Sequence, residues 1–464
     1  MEFVKSLVKV SIFVTLEFVI IKGQAYYSSS PGHSGSSYSF SSYATSPAGS
    51  RGFAHPRKTP IETYSKEDPL MGRRIVCLYN NANYYKSGLE PKDLDASLCT
   101  HINYEFAKLD PKTYEMVPSE PDIDIDQNFY DVTIGLKKTN PSLKVMLSLG
   151  GWKDSTKKYS ELVASAGLIK HFVSEAVYFL KMHGFDGLDV AWEYPNCWQG
   201  ALGVNKDDKK NFVVFLQELR KALDAENLLL SISVTAIKRE IEAGYDGPAV
   251  AKAVHYVNVM TYDMHGPWER TTGHHAQFGY KAGDSDSSLN SKSAMEIWAS
   301  IGFSKMQLNM GIPTYAKTFT LVNPASHWLG APTRGPGAPG ALSNNGGSLC
   351  YREVCQYLNA GNWTEGEDKA VGYYAYSGDQ WAAYDPPLMV VKKVKWIAES
   401  GYGGVLIKDF SCDDFEGKCL SMKFPLIMAP MGASPTYVSC SCKIDRLHFS
   451  KVRFLEDYKS ILPS

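Results

Sequence analysis

The sequence of 464 residues has almost no net charge, because 48 basic side chains balance 49 acidic ones. Nucleic-acid-binding surfaces need an excess of Lys and Arg, so this balance argues against a nucleic-acid partner. Long apolar runs are also scarce. The run at residues 10–21 is short and contains a charge, no later stretch is long and apolar enough to cross a bilayer, and no membrane span is expected in the mature chain.

Metal-ligand spacing is missing as well. None of the nine cysteines combines with nearby histidines into a zinc pattern, so we expect neither a metal nor another cofactor. In a secreted chain an odd number of cysteines predicts disulfides with one thiol left over. The cysteines stand at positions 77, 99, 197, 350, 355, 412, 419, 440 and 442.

The N-terminal segment has the order of a secretory signal. Two lysines precede the apolar run at 10–21, which Glu17 interrupts, and small residues follow as far as Ala25. We therefore predict a signal peptide at residues 1–25 and a secreted, extracellular protein. Residues 26–70 are rich in Ser, Tyr, Gly and Pro without periodicity, which predicts a disordered leader.

From Arg74 onward, short apolar strands alternate with segments of helical periodicity. One such segment has apolar pairs at 168/169, 172/173, 176/177 and 179/180. This alternation predicts a parallel α/β fold, and it stops only between about 318 and 375. The predicted strands are 74–80, 99–106, 144–149, 188–192, 228–234, 255–262, 306–313 and 404–408.

One predicted strand carries acids. The stretch FDGLDVAWEYP occupies 185–195, and because strand residues alternate sides, Asp189, Ala191 and Glu193 share one face. Carboxylates at the C-terminal end of an apolar strand are typical of the catalytic face of a (β/α)₈ barrel. The alternative is a structural ion pair inside the barrel, since buried acids without partners are costly.

This stretch resembles the D-G-x-D-x-D-W-E-Y-P signature of family 18 glycoside hydrolases, the chitinases and chitinase-like proteins. Further matching blocks follow in the family's order: KVMLSLGGW at 144–152, MTYDMHGPW at 260–268, GIPTY at 311–315, and GG at 403–404 with DDF at 413–415.

The resemblance covers about 74–424 and implies an α/β fold of the (β/α)₈ TIM-barrel type. We assign the barrel to residues 71–424, with a small α+β insertion at about 316–376 and a C-terminal tail at 425–464. The tail holds only Cys440 and Cys442, too few for the cysteine-rich chitin-binding module of some chitinases. We expect a monomer.

The resemblance implies substrate-assisted catalysis, with Glu193, Asp189 and Tyr262 as catalytic residues. In that scheme Glu193 protonates the glycosidic oxygen, the substrate's acetamido oxygen attacks the anomeric carbon, and Tyr262 holds the acetamido group. The family's third acid, which orients the acetamido N–H, is replaced by Ala191. Loss of one such electrostatic partner typically costs on the order of 10²–10³ in rate.

Other positions near the same pocket also depart from the family. The family's floor tryptophan, on which the sugar stacks, aligns with Lys408, and a strand-one tyrosine aligns with Leu78. A nearby tryptophan aligns with Ala82, and an arginine after strand seven aligns with Lys317. Neutral drift after loss of activity explains these changes at least as well as a gained function.

Lys408 is expected to seek a carboxylate, because a buried unpaired ammonium is costly. The expected partners are Glu193, Asp189 and Asp263, and a pair with Glu193 would lower its pKa, the wrong direction for a general acid. The alternative is that Lys408 turns toward Asp409 or solvent.

A groove for chitin or chito-oligosaccharide is nevertheless expected, because aromatic faces stack on pyranose rings and polar groups bind their hydroxyls and acetamides. The implied substrate-binding residues are Phe106, Gly150, Gly151, Trp152, Tyr194, Met260, Thr261, Asp263, Trp268, Tyr315, Trp381 and Lys408.

The resemblance also implies two disulfides, Cys77 with Cys99 and Cys355 with Cys419. Pairing of Cys350 with Cys412 is plausible but unassigned, as are the partners of the other cysteines. Asn362 begins an Asn-Trp-Thr sequon and is a candidate glycosylation site.

Three functions remain open at this point. The first is a secreted chitinase-like protein that binds chito-oligosaccharide with lost or strongly impaired catalysis. The second is a slow endochitinase that cleaves β-1,4 linkages with Glu193 as acid. The third is a signalling protein resembling the imaginal disc growth factors, with an unidentified cell-surface receptor. That subgroup shares the alanine at the third acid but usually replaces the acid glutamate, which this chain keeps.

Overall fold

The computed structural model describes residues 72–284 and 286–432. The predicted signal peptide, the predicted leader and the cysteines at 440 and 442 lie outside these residues. Eight parallel strands form a closed barrel with helices outside, which confirms the predicted (β/α)₈ fold. The barrel strands are β1 (Arg74–Asn80), β2 (His101–Leu109), β3 (Lys144–Gly150), β4 (Gly187–Ala191), β5 (Leu229–Thr235), β6 (Tyr256–Met260), β7 (Leu308–Pro313) and β8 (Gly404–Lys408).

The barrel closes because β1 pairs in parallel with both β2 and β8. Strand β4 lies between β3 and β5, and a side chain at Gly187 would collide with the backbone of Leu229. A short strand, Met116–Pro118, extends β2 as an antiparallel partner. Strand β6 ends at Met260, two residues before the predicted end, so Thr261 and Tyr262 already belong to the mouth of the barrel.

The helices pack their apolar faces on the sheet. The predicted periodic segment forms an 18-residue helix that begins after the capping residue Ser165 and ends at Gly184, whose positive φ terminates it. The α-helices are α1 (Tyr84–Ser87), α2 (Phe129–Gly135), α3 (Thr156–Val163), α4 (Ala166–His183), α5 (Asp208–Ala225), α6 (Lys238–Gly244), α7 (Gly247–Ala253), α8 (Ser291–Ser300), α9 (Tyr351–Asn359), α10 (Pro387–Ser400) and α11 (Pro425–Gly432).

None of the described helices is by itself long and apolar enough to cross a membrane. Helices α3 and α4 together have the length and composition of a membrane span, but the break between them bends the pair by 108°.

An inserted sheet with helix α9 stands between β7 and α10. It has its own core, formed by Phe319, Leu321, Ala331, Trp381 and Ala383. Its strands are Tyr315–Leu321, Thr333–Pro336, Ser348–Cys350, Thr364–Asp368, Gly372–Ser377 and Gln380–Tyr384.

Three disulfides connect these parts. Cys77–Cys99 joins β1 to the segment before β2, and Cys355–Cys419 joins α9 to the segment after β8, the pairings that the resemblance implies. Cys350–Cys412 is a third bridge between the insertion and that segment. Among the described cysteines, Cys197 alone is free, and it is buried.

The end of the described chain differs from the prediction. Residues from 425 were assigned to a tail, but Pro425–Gly432 is helix α11. The backbone N–H groups of Leu426 and Ile427 donate to the carboxylate of Asp413, at 3.1 and 3.0 Å, and so anchor the start of this helix. Because α11 is apolar on all sides, it shows no helical periodicity in the sequence.

Candidate active site

Asp189 lies inside the barrel on β4 and is fully buried. Burial raises its pKa, although hydrogen bonds to the charged form oppose this effect. With so many partners on neighbouring strands, the carboxylate is fixed in place. Its donors are Ser148 at 3.1 Å, Ser231 at 2.6 Å, Ser233 at 2.8 Å and Asn258 at 3.3 Å.

Ala191 ends β4 where the chain of β3 approaches most closely. The Gly151 N–H donates to the Ala191 carbonyl at 2.8 Å. A Cβ on Gly150 would lie 2.5 Å from that carbonyl oxygen, and a Cβ on Gly151 would lie 2.8 Å from the Phe106 ring. Both glycines also have positive φ, so only glycine allows this close approach of β2, β3 and β4.

Glu193 follows β4 and is partly buried at the barrel mouth. Its pKa is raised to about 7, mainly by burial; the charge of Lys408 opposes this shift, and the charges of Glu105 and Asp263 add to it. Glu193 therefore holds its proton to a much higher pH than an ordinary glutamate does. A carboxyl group in this state can donate a proton to a leaving group.

Lys408 ends β8 and forms an ion pair with Glu105 on β2, which we call the floor pair. The Lys408 Nζ lies 3.0 Å from Glu105 Oε2, and the two side chains are 23% and 3% exposed. Burial raises the pKa of Glu105, and Lys408 opposes this. Burial lowers the pKa of Lys408, but Glu105, Asp409 and Glu193 outweigh it and raise the pKa overall, so the ammonium stays charged.

Lys408 was predicted to lie within direct or water-bridged reach of Glu193, Asp189 or Asp263, and its direct partner is none of these three acids. Since the direct partner is Glu105, Lys408 acts on Glu193 only as a nearby charge. Burial dominates there, and the pKa of Glu193 is raised where a direct pair would have lowered it.

Asp263 and Lys317 form a second ion pair at the edge of the mouth, which we call the rim pair. Their closest atoms are 3.2 Å apart, and Asp263 is 44% exposed. The Tyr315 hydroxyl donates to Asp263 at 2.8 Å, and His275 Nδ1 lies 3.4 Å away. Burial raises the pKa of Asp263, but His275, Lys317 and Tyr315 together hold it below its usual range.

Tyr262 directly precedes Asp263 of the rim pair. Its ring meets that of Tyr315 edge to face at 6.1 Å. Its buried hydroxyl has no hydrogen-bond partner among the described residues. Met260 is buried beside it in one apolar cluster with Tyr194, and Thr261 donates to the Gly311 carbonyl at 2.6 Å.

Two tryptophans are exposed at the ends of barrel strands. Trp152 follows β3 and is 48% exposed, and Trp268 follows β6 and is 62% exposed. The Lys317 Nζ lies 5.8 Å from the Trp268 ring centre. Exposed aromatic faces of this kind can stack on apolar faces of a ligand.

Trp381 does not belong to this group. The structure places it, fully buried, in the core of the insertion, where its ring stacks on Tyr374 and its Nε1–H donates to the His327 carbonyl at 3.0 Å. Its predicted role as a cleft residue overlooked that the insertion needs an apolar core of its own.

Sequence reasoning missed Glu105 and His275. Glu105 stands in an apolar strand directly before Phe106, and a charged residue in such a strand is the signal that could have identified it. His275 is buried and comes to Asp263 from a loop twelve residues later, and no local pattern predicts that contact. Among the described residues, no group of three or more His, Cys, Asp or Glu side chains could hold a metal ion.

Comparison with known proteins agrees with this geometry. Residues 74–413 match the family model of glycosyl hydrolases family 18. The probable chitinase 10 of Drosophila melanogaster is 36% identical over 381 residues, which are 80% of this chain and 16% of that protein. The chain therefore spans only a small part of that relative.

Two solved structures are similar over most of their length. Catalytic domain 2 of the group II chitinase of Ostrinia furnacalis has a TM-score of 0.76 and 35% identity, covering 78% of this chain and 96% of that one. Human YKL-39, described as a pseudo-chitinase with retained chitooligosaccharide binding properties, has a TM-score of 0.72 and 30% identity, covering 78% and 99%. The chain belongs to glycosyl hydrolases family 18.

Proposed function

We propose that this protein is a secreted chitinase-like protein that binds chito-oligosaccharides at the barrel mouth and has strongly impaired hydrolysis. One observation carries the proposal: β4, which bears Asp189 and leads into Glu193, ends in Ala191 where the family's orienting acid would stand. The described pseudo-chitinase neighbour, which retains chito-oligosaccharide binding, supports the same combination.

Sugar binding is assigned to the groups that line the mouth. The unpartnered Tyr262 hydroxyl can donate to an acetamido oxygen, and Asp263 can accept from a sugar hydroxyl. Trp152 and Trp268 offer exposed faces for pyranose rings. Tyr262 and Asp263 already pack against or bond to Tyr315, so these two side chains need little ordering on binding.

Catalysis is assigned to Glu193 acting without its partner. Its pKa of about 7 lets it protonate a glycosidic oxygen at neutral pH. The acetamido group that would attack the anomeric carbon has no carboxylate at 191 to orient its N–H or to stabilise the positive charge. Asp189 cannot replace that acid, because four donors hold it inside the barrel.

A slow endochitinase is the second candidate, and the raised pKa of Glu193 favours it. Both candidates are tested with purified protein on a fluorogenic chitotrioside, beside Glu193→Gln. We expect wild-type turnover at least about a hundredfold below that of a family member with the third acid intact. Equal signals from wild type and Glu193→Gln, at background, would exclude the slow enzyme.

Binding is tested separately by calorimetry with unlabelled chito-oligosaccharides. Saturable binding by both wild type and Glu193→Gln is expected, since the acid contributes to bond cleavage more than to affinity. Absence of binding at millimolar ligand would contradict the proposal. The signalling role with a cell-surface receptor would then be the remaining hypothesis.

Secretion and glycosylation belong to the same proposal. Three disulfides among the described residues are typical of an oxidising compartment. Asn362 is exposed after α9, where an oligosaccharide transferase could reach it. Expression with the full N-terminus in a eukaryotic cell, followed by mass analysis of the medium, tests both.

A further inference from the structure

The floor pair crosses the end of β1. Strand β1 pairs with β2 on one side and β8 on the other, with Glu105 beside Asn80 and Ile407 beside Cys77. Residues two apart in a strand face the same side. Lys408 is two residues beyond Leu406, an interior residue, so its side chain points into the mouth and meets Glu105 there.

The residues beneath the floor pair are apolar and tightly packed. Leu78 and Leu406 lie in one buried cluster inside the barrel. The floor pair covers this cluster on the side of the mouth, and the Lys408 Nζ lies 5.7 Å from the centre of the Phe106 ring. Phe106 in turn packs against Gly151.

A pyranose ring needs an apolar surface for stacking, and the floor pair does not supply one. A sugar ring could lie on the floor pair only if it separated or desolvated the two charges, and the Glu105 carboxylate is almost completely buried. Removing one partner from a buried pair is strongly unfavourable, because the other charge is left without compensation. Glu105 and Lys408 thus stabilise each other in the position that a stacked ring would need.

We propose that Glu105 and Lys408 are specificity-determining residues whose ion pair closes the innermost sugar position beside Glu193. This inference rests on the proposed function, because it concerns the same groove and the same ligands. Chito-oligosaccharides are held by the outer parts of the groove, and short ligands that depend on the innermost position bind poorly.

The outer contacts follow other strands than those of the floor pair. Trp152 follows β3 and Trp268 follows β6, three strands apart around the barrel, whereas the floor pair joins β8 and β2 across β1. A ligand that contacts both tryptophans must extend across the mouth. Affinity should therefore rise steeply with the number of sugar units, and loss of either tryptophan should remove most of it.

The test is calorimetry of the full-length protein with the chito-oligosaccharide series from the disaccharide to the hexasaccharide. The double variant Glu105→Ala/Lys408→Trp supplies an aromatic floor without leaving an unpaired charge. We expect it to bind the trisaccharide at least about tenfold more tightly than wild type does, with a flatter dependence on length.

Two further variants serve as controls. The exchange Glu105→Lys/Lys408→Glu keeps an ion pair at the floor, so it should keep the steep dependence of affinity on length and should not gain the trisaccharide binding of the aromatic variant. Lys181→Ala/Glu226→Ala removes an ion pair of similar length at α4, outside the barrel, and should leave the affinity for every chito-oligosaccharide unchanged. Thermal unfolding of each variant shows whether it is folded.

The outcomes separate this inference from the proposed function. If wild type and Glu105→Ala/Lys408→Trp bind each length with the same affinity, the inference that the ion pair closes the innermost position is refuted and sugar binding stands. The same holds if the charge exchange binds like the aromatic variant. If wild type binds nothing and the aromatic variant binds, the closed position stands and wild-type sugar binding is refuted. If neither folded protein binds, both are refuted.

Discussion

The two sides of the barrel mouth differ in what they offer to a ligand. On the side of β4 to β6, Tyr262 keeps a hydroxyl without a partner and Asp263 remains 44% exposed. On the side of β8 to β2, the floor pair neutralises itself, with Glu105 only 3% exposed. The first side can still hydrogen-bond a sugar, whereas the second satisfies its charges internally.

The floor pair and the rim pair differ in the same way as the two sides of the mouth. Both join a lysine to an acid at about 3 Å. In the rim pair the acid also accepts from Tyr315 and is open to solvent, so it can exchange partners when a ligand arrives. In the floor pair the acid is buried, and loss of its lysine would leave a charge that water cannot reach.

The largest expected effect comes from rebuilding the altered side. Ala191→Asp alone should recover only part of the hydrolysis, because the floor remains charged. Ala191→Asp combined with Glu105→Ala/Lys408→Trp should raise turnover of a fluorogenic chitotrioside by at least about a hundredfold, more than the separate effects multiplied. Full recovery by Ala191→Asp alone would contradict the importance of the floor.

Removal of one charge from the floor pair should destabilise the fold. Lys408→Met leaves the Glu105 carboxylate buried and unpaired, and we expect a loss of about 3 kcal/mol in the free energy of unfolding at pH 8, measured with urea. Because burial raises the pKa of Glu105, this loss should shrink as the pH falls and the carboxyl takes a proton. The double variant Glu105→Leu/Lys408→Met should recover most of the stability.

The pH dependence of residual hydrolysis should follow Glu193. Its folded-state pKa of about 7 lies above the ordinary value, so the proton required for general-acid catalysis is present below pH 7 and lost above it. Hydrolysis should fall about tenfold per pH unit above 7. Glu105→Gln removes a negative charge that raises the pKa of Glu193, so its profile should shift to lower pH. Identical profiles would contradict this coupling.

The smallest effect is expected at the rim pair. Lys317→Met should cost less than about 1 kcal/mol in unfolding, because Asp263 is exposed and keeps its contacts with Tyr315 and His275. A loss as large as that of Lys408→Met would remove the distinction between the two pairs. The same urea series measures both.

The barrel was predictable because its strands alternate with helices and its blocks keep the family's order. Strands β1 and β8 agree with their predicted limits, and the other strands differ by up to three residues at an end. Helix α11 escaped prediction because it is buried on all sides and contains Pro430, so neither periodicity nor capping marks it.

The site was predictable only where its residues belong to local motifs. Asp189, Ala191 and Glu193 follow from strand alternation, whereas the partner of Lys408 lies 303 residues away on β2. A distant pair of this kind depends on barrel closure, which no local pattern contains. Trp381 was misplaced for a related reason, since its burial depends on strands that pair only in the folded insertion.

The floor pair also constrains how this chain could change over time. A mutation of Glu105 or Lys408 alone would leave one charge facing an apolar cluster, and such a protein would be less stable whatever it binds. Return to an aromatic floor therefore requires two codons to change together or a less stable intermediate. The floor pair is in this sense a barrier to single substitutions, one that the lone alanine at 191 does not present.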